Sequence, residues 1–179
     1  MSQQIDSGFL VGAIRTSTAE VFSTMMGIEV TAGEPILNTT EAGPTQGVVG
    51  IIGMAGSYVG TGMICCNVPL ACRAASAMMM SEYDSVNDEV LDAVGEICNM
   101  IVGNIKTAIE ERYGEMGISV PTVVYGHNFA TRTLSKGSWT IVPFETNGDK
   151  IEIFVSLVPN SHSDSGLRPG FRRTEPVLA

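Results

Sequence analysis

Two neighbouring segments, residues 48–55 and 58–66, are apolar on both of their alternating faces, with only Gly56-Ser57 between them. Successive side chains of a strand point to opposite sides of a sheet, so such strands need apolar cover on both sides. Helices are expected to cover one side, and a helix or a second subunit the other. Gly56-Ser57 suits a two-residue type II′ hairpin turn.

The remaining pattern supplies the helices. Phe9, Leu10, Ala13, Ile14, Val21 and Met25 recur at helical spacing and predict a helix over 7–26, closed by Gly27. Residues 28–30 and 36–37 read as a short strand region interrupted by Gly33 and Pro35. A helix starts at Pro69, a residue suited to the first turn, and runs through Met80. Its run Met78-Met79-Met80 reads as irregular core filling rather than a soft binding surface. The longest helix covers residues 87–113. Ser85 or Asn87 caps it, Asp88 and Glu89 complement its dipole, Arg112 lies in its last turn and Gly114 just beyond.

Strands are predicted at 118–125, 138–146 and 150–158, the last two joined by Asn147-Gly148, a type I′ hairpin signal. Pro143 cannot donate to a ladder, so its strand should lie at an edge or carry a bulge. Strands come in runs rather than in strict alternation with helices. The expected class is therefore α+β, a mainly antiparallel sheet with long helices packed on it. Residues 1–159 are expected to form a single compact domain, and residues 160–179, poor in apolar anchors, are expected to form an extended or disordered tail.

Composition narrows the function. The 179 residues hold ten Lys and Arg against nineteen Asp and Glu, a net charge of −9 that argues against nucleic acid and anionic membrane as partners. No apolar stretch is long enough to cross a bilayer, and the start Met-Ser-Gln-Gln-Ile-Asp lacks the basic residues of a signal peptide. A cytoplasmic location is expected. Cys65, Cys66, Cys72 and Cys98 form no CxxC pair and read as buried free thiols. His127 and His162 share no ligand spacing with them, so neither a metal site nor a bound cofactor is expected in this chain.

The long helix is split. On a wheel at about 100° per residue, Asp88, Asp92, Gly95, Glu96, Asn99 and Gly103 fall in one stripe. Val94, Ile97, Cys98, Ile101, Ile105 and Ala108 fall opposite. A solvated face is the commonest reason for such a stripe. This one, however, places Asn mid-helix and two glycines inside the helix, each glycine costing about 1 kcal/mol relative to Ala. It also lacks the lysines that would pair with its acids at i+4. Small positions beside Glu96 and Asn99 would let another protein come close. Gln at Gly95 or Gly103 is expected to block that approach while leaving the isolated protein as stable or more so.

The pattern Asp92-x3-Glu96-x2-Asn99, followed by Pro121, resembles the signature of the CheC, CheX and FliY phosphatases. Residues 21–30 and 118–124 resemble the CheX branch, and the likeness covers about residues 9–158. Two departures stand out. The gap from Asn99 to Pro121 is one residue shorter than the usual spacing, and the first helix offers Glu20-x2-Ser23 where two-site members repeat the Glu-x2-Asn pair.

The resemblance implies one active site per chain. It further implies a phosphatase that hydrolyses the aspartyl phosphate of a phosphorylated CheY-like response regulator. Asn99 would position the attacking water, Glu96 would hold the regulator's lysine, and Asp92, Gly95 and Gly103 would meet the regulator. Pro121 would shape the strand beside the helix. Mg²⁺ is expected on the regulator, not on this chain, and a homodimer joined through sheet edges is expected. Two rivals remain open: a non-catalytic module that binds a regulator or motor protein, and a small-molecule enzyme built on Gly60-Thr61-Gly62, which lacks the spacing of a nucleotide loop.

Overall fold

Asp6 opens the first helix of the computed structural model, which describes residues 4–40, 46–127 and 137–160. Its side chain accepts a hydrogen bond from Phe9 N at 2.7 Å. The chain then runs α1 (Ser7–Met26), β1 (Thr31–Ala32), β2 (Ile36–Thr39), β3 (Gln46–Gly56), β4 (Tyr58–Cys66), α2 (Val68–Met79), α3 (Asp88–Tyr113), β5 (Met116–Ile118), β6 (Thr122–His127), β7 (Trp139–Thr146) and β8 (Asp149–Pro159). All strand pairs are antiparallel. The sheet order is β1-β7-β8-β4-β3-β5, with β2 also beside β7 and β6 also beside β3. The expected α+β class, an antiparallel sheet under long helices, is what the chain adopts. The tail expected at 160–179 lies, from residue 161 onward, outside the described residues.

The doubly apolar pair β3 and β4 sits at the centre, and its two faces belong to different clusters. Val48, Ile52, Ile64 and Cys66 point to the side where all three helices pack. Val49, Met63 and Cys65 point to the other, where they join Trp139, Ile141 and Phe154. No residue of the three helices belongs to that second cluster. There Trp139 meets Phe154 edge-on at 6.0 Å.

Close approach of α3 to the sheet depends on two glycines. A Cβ on Gly50 would lie 2.8 Å from Cys98 Cβ, and one on Gly62 would lie 2.9 Å from Val102 Cγ2. Any larger residue would push the helix off the strands. That contact fixes which side of α3 faces the sheet and which faces solvent.

Several local expectations need correcting. Residues 28–30 are not a strand: Ile28 N donates to Phe22 O at 3.0 Å, completing the cap behind left-handed Gly27 (φ 64°), and pairing begins only at Thr31. Gly56-Ser57 is not a tight II′ turn. The β3–β4 ladder ends at Met54 and Gly60, and β3 continues onto β5, with Ser57 N donating to Glu115 O at 2.9 Å. The strand expected over 118–125 is two strands, both on β3, interrupted at Ser119–Pro121. Ser119 replaces regular pairing there by taking Gly53 N–H on its hydroxyl at 3.0 Å.

The strand of Pro143 is not the expected edge strand, since β7 lies between β8 and the short strands β1 and β2, and the proline is tolerated for a different reason. Its carbonyl accepts from Gly33 N at 2.8 Å, so its missing N–H falls on the same side, at the break between the short strands β1 and β2. At the other end of β7, Asn147 and Gly148 carry positive φ (51° and 85°) between the paired residues Thr146 and Asp149, the expected two-residue hairpin.

Candidate active site on the third helix

Asn87 caps α3, its side chain accepting from Val90 N at 2.9 Å, while Asp88 and Glu89 occupy the first turn. At the other end Glu110 accepts from Met116 N at 2.8 Å and pairs with Lys106. These bonds hold the Glu110 carboxyl below its usual range, Lys106 contributing most. Both ends of the helix are thus tied down, and the packed side does the rest. Val94, Ile97, Cys98, Ile101 and Ile105 are all buried against the sheet.

The opposite stripe is arranged as the wheel predicted in all but one position. Asp92 and Glu96 are exposed, and Asn99 and Gly103 are half-buried. Gly95 is buried. A Cβ there would lie 3.3 Å from Val123 Cγ2 and 3.7 Å from Pro121 Cγ. Gly95 thus makes room for β6, with Pro121 and Val123 close over it, and a side chain there needs Val123 to yield by a few tenths of an ångström. Gly103 is different. A Cβ there would meet Ile118 Cδ1 at 3.9 Å, an ordinary contact.

Among the described residues, Asp92, Glu96 and Asn99 make no side-chain hydrogen bond or ion pair. Elsewhere on the same helix Glu89 accepts from Tyr83 OH at 2.6 Å and Glu110 has two partners. Asn99 in particular does not turn back onto its own helix, so its amide and carbonyl are both available to something outside.

Asp92 and Glu96 line a groove of about 470 Å³, with Gly95 beside them and Pro121 and Val123 on the other wall, and Asn99 lies outside it. Larger clefts lie between α1 and α3 (about 520 Å³) and beside the start of α2 (about 670 Å³). Neither contains Glu96 or Asn99. An acid and a carboxamide on an open helix face, with no enclosing pocket, suit a macromolecule that brings its own reactive centre.

Other chemistries find little support. Burial pushes the Cys98 thiol, next to Asn99 in sequence, up to about 12, and the Cys65 thiol likewise up to about 12. Neither is a thiolate nucleophile at neutral pH. Among the described residues no group of three or more His, Cys, Asp and Glu is placed to hold a metal ion. No described helix is long and apolar enough to cross a membrane.

Sequence reading passed over the segment just before Pro121. Ser119 N donates to Gly53 O at 2.9 Å, and its hydroxyl donates to Val120 O at 2.9 Å, so this residue braces the strand arm flanking the stripe. The available signal was a Ser-x-Pro interrupting an otherwise apolar strand pattern.

The fold is that of the CheC-like proteins. A CheC-like superfamily protein from Shewanella sp. PV-4 superposes with a TM-score of 0.76 at 27% identity, over 84% of this chain and 97% of that one. Within that class, the family description "Chemotaxis phosphatase CheX" matches residues 48–145, and the chain belongs to this family. The CheY-P phosphatase CheX of Thermotoga maritima is 29% identical over 125 residues, 69% of this chain and 80% of its own. A CheX–CheY–BeF3–Mg²⁺ complex from Borrelia burgdorferi gives a TM-score of 0.72 at 27% identity, covering 86% of this chain and 99% of that one.

Proposed function

We propose that this chain is a phosphatase that hydrolyses the aspartyl phosphate of a CheY-like response regulator, with Asn99 orienting the attacking water and Glu96 docking to the regulator's lysine. The observation that carries this reading is the pair itself. Glu96 and Asn99 lie about one turn apart on a long helix, both without a side-chain partner among the described residues, in a member of the chemotaxis phosphatase family. The names of two relatives support the substrate: one is called a CheY-P phosphatase, and the other is a complex with CheY carrying BeF3 and Mg²⁺.

The chemistry asks for little from this chain. An acyl phosphate is already activated, and its hydrolysis needs a water held in line with the P–O bond to the aspartate carboxylate. The water oxygen bonds to phosphorus, the carboxylate leaves with the electron pair, and the water's protons pass to phosphate and solvent. A neutral carboxamide can accept from that water and hold it without being consumed. Glu96, exposed and acceptor-only when ionised, forms a charge-assisted bond to the regulator's lysine. Asp92 adds a second carboxylate to the docking face, and Gly103 keeps the turn beyond Asn99 low. Mg²⁺ belongs to the regulator in this scheme.

The test is phosphate release from a phosphorylated CheY-like regulator with and without this protein. Faster release that depends on Asn99 supports the reading, and binding without faster release would make the chain a non-catalytic module. Four free buried cysteines suit a reducing cytoplasm, the proposed compartment. A homodimer is also proposed, through the β1/β2 edge, where Ile36 and Leu37 are exposed (50% and 41%). That edge is the one opposite the edge carrying β5 and β6, so each α3 stays free. Light scattering giving the 18.9 kDa of one chain would overturn the dimer and leave the catalytic reading untouched.

A further inference from the structure

Val120 is 85% exposed, yet its backbone is restrained on both sides. Before it, Ser119 is clamped to Gly53 by two hydrogen bonds of 2.9 and 3.0 Å, and the Ser119 hydroxyl holds the Val120 carbonyl. After it, Pro121 has a fixed φ and rests over Gly95, and a residue before proline is itself confined to extended backbone. The β-branched side chain has few rotamers to lose. Met79 and Met80 are also exposed (53% and 94%), contrary to the core filling expected of the methionine run, but Met80 is an unbranched side chain at a helix end. Covering Val120 therefore costs a partner little ordering entropy, which makes it an efficient contact.

Its position follows from its neighbours. Ile118 lies beside Gly103 and Pro121 beside Gly95, so Ser119 and Val120 pass the intervening stretch of α3, which carries Glu96 and Asn99. We propose that Val120 is a specificity contact for the response regulator, seating in an apolar depression next to the phosphorylated aspartate while Glu96 and Asn99 reach the acyl phosphate. This deepens the function proposed above and rests on it. The polar pair acts on groups that response regulators share. An apolar knob beside it is the part that distinguishes one regulator surface from another.

The test compares wild type, Val120→Ser and Val120→Ile for binding to a CheY-like regulator loaded with beryllofluoride and Mg²⁺, and for turnover of the phosphorylated form. Val120→Ser should raise both Kd and KM about tenfold and leave kcat within about twofold, because only uniform binding is lost. Val120→Ile should restore wild-type Kd and KM. Thermal unfolding of both variants should match wild type, since the side chain is outside the core. Wild-type Kd in Val120→Ser, or a fall in kcat alone, overturns the proposal while the phosphatase reading stands. A wild-type protein that neither binds the loaded regulator nor speeds phosphate release overturns both.

Discussion

The packed side and the polar stripe of α3 share one backbone, but their residues answer to different demands. On the packed side Ile97, Ile101 and Ile105 are essentially inaccessible, each worth about 2 kcal/mol of burial. The stripe holds an asparagine, a glycine with open space at its Cβ and two acids without partners among the described residues, choices that cost the helix about 0.5–1 kcal/mol at each non-charged position. Burial outweighs that cost several times over. A helix anchored so firmly on one side can carry poor helix formers on the other, and what those residues share is availability to a partner.

Asn99→Ala should separate the two sides of α3 most strongly. It should slow regulator dephosphorylation by about a hundredfold or more, about 2.7 kcal/mol in the barrier. Stability should move by less than about 0.5 kcal/mol. Phosphate release and thermal unfolding measured together check it. A variant that unfolds early but turns over normally would mean that Asn99 serves the fold after all.

Gly95→Gln comes next, and it tests where the stripe ends. By angle Gly95 belongs to the stripe, but Val123 and Pro121 lie over it. Inserting a side chain there should cost about 1–3 kcal/mol by denaturant titration, the behaviour of an overpacked core. An unchanged midpoint would show that the β6 arm yields freely and that Gly95 is part of the open surface.

Glu96→Ala should raise KM for the phosphorylated regulator roughly tenfold, about 1.4 kcal/mol. The difference from wild type should shrink as salt screens the contact. A KM that ignores both the substitution and salt would remove Glu96 from the docking face.

How much of this could be read from the chain depends on the range of the interaction involved. The bounds of α1 and α3 and the Asn147-Gly148 hairpin are set by residues close in sequence, and they were legible. The same holds for the Glu96–Asn99 stripe, since helical spacing alone puts the two side by side. The misreadings come from long-range pairing. Nothing near Gly56-Ser57 says that β3 will leave β4 to pair with Met116, and nothing near Gly95 says that Pro121 will sit on it. The Ser-x-Pro break hinted at an interruption, but not at the bracing role of Ser119, whose bonding partner Gly53 is 66 positions away.

At Gly103 the demands of fold and partner can be separated in one residue. Its Cβ direction is open, with Ile118 Cδ1 at 3.9 Å, so either Ala or Gln fits. Both remove a helical glycine, and each should stabilise the protein by about 0.5–1 kcal/mol, a rise of a few degrees in Tm. They should differ in function. Alanine adds one methyl and leaves the surface beyond Asn99 nearly as low as before, so turnover should stay near wild type. Glutamine projects a long side chain one turn from Asn99, where the regulator has to come close, and turnover at limiting regulator should fall while Tm still rises. If Gly103→Gln turns over normally, the regulator does not cover this turn of α3, and the docking face ends at Asn99. If both variants lose stability, the stripe side of α3 is packed more tightly than the open space around Gly103 indicates, and its glycine answers to the fold just as Gly95 does.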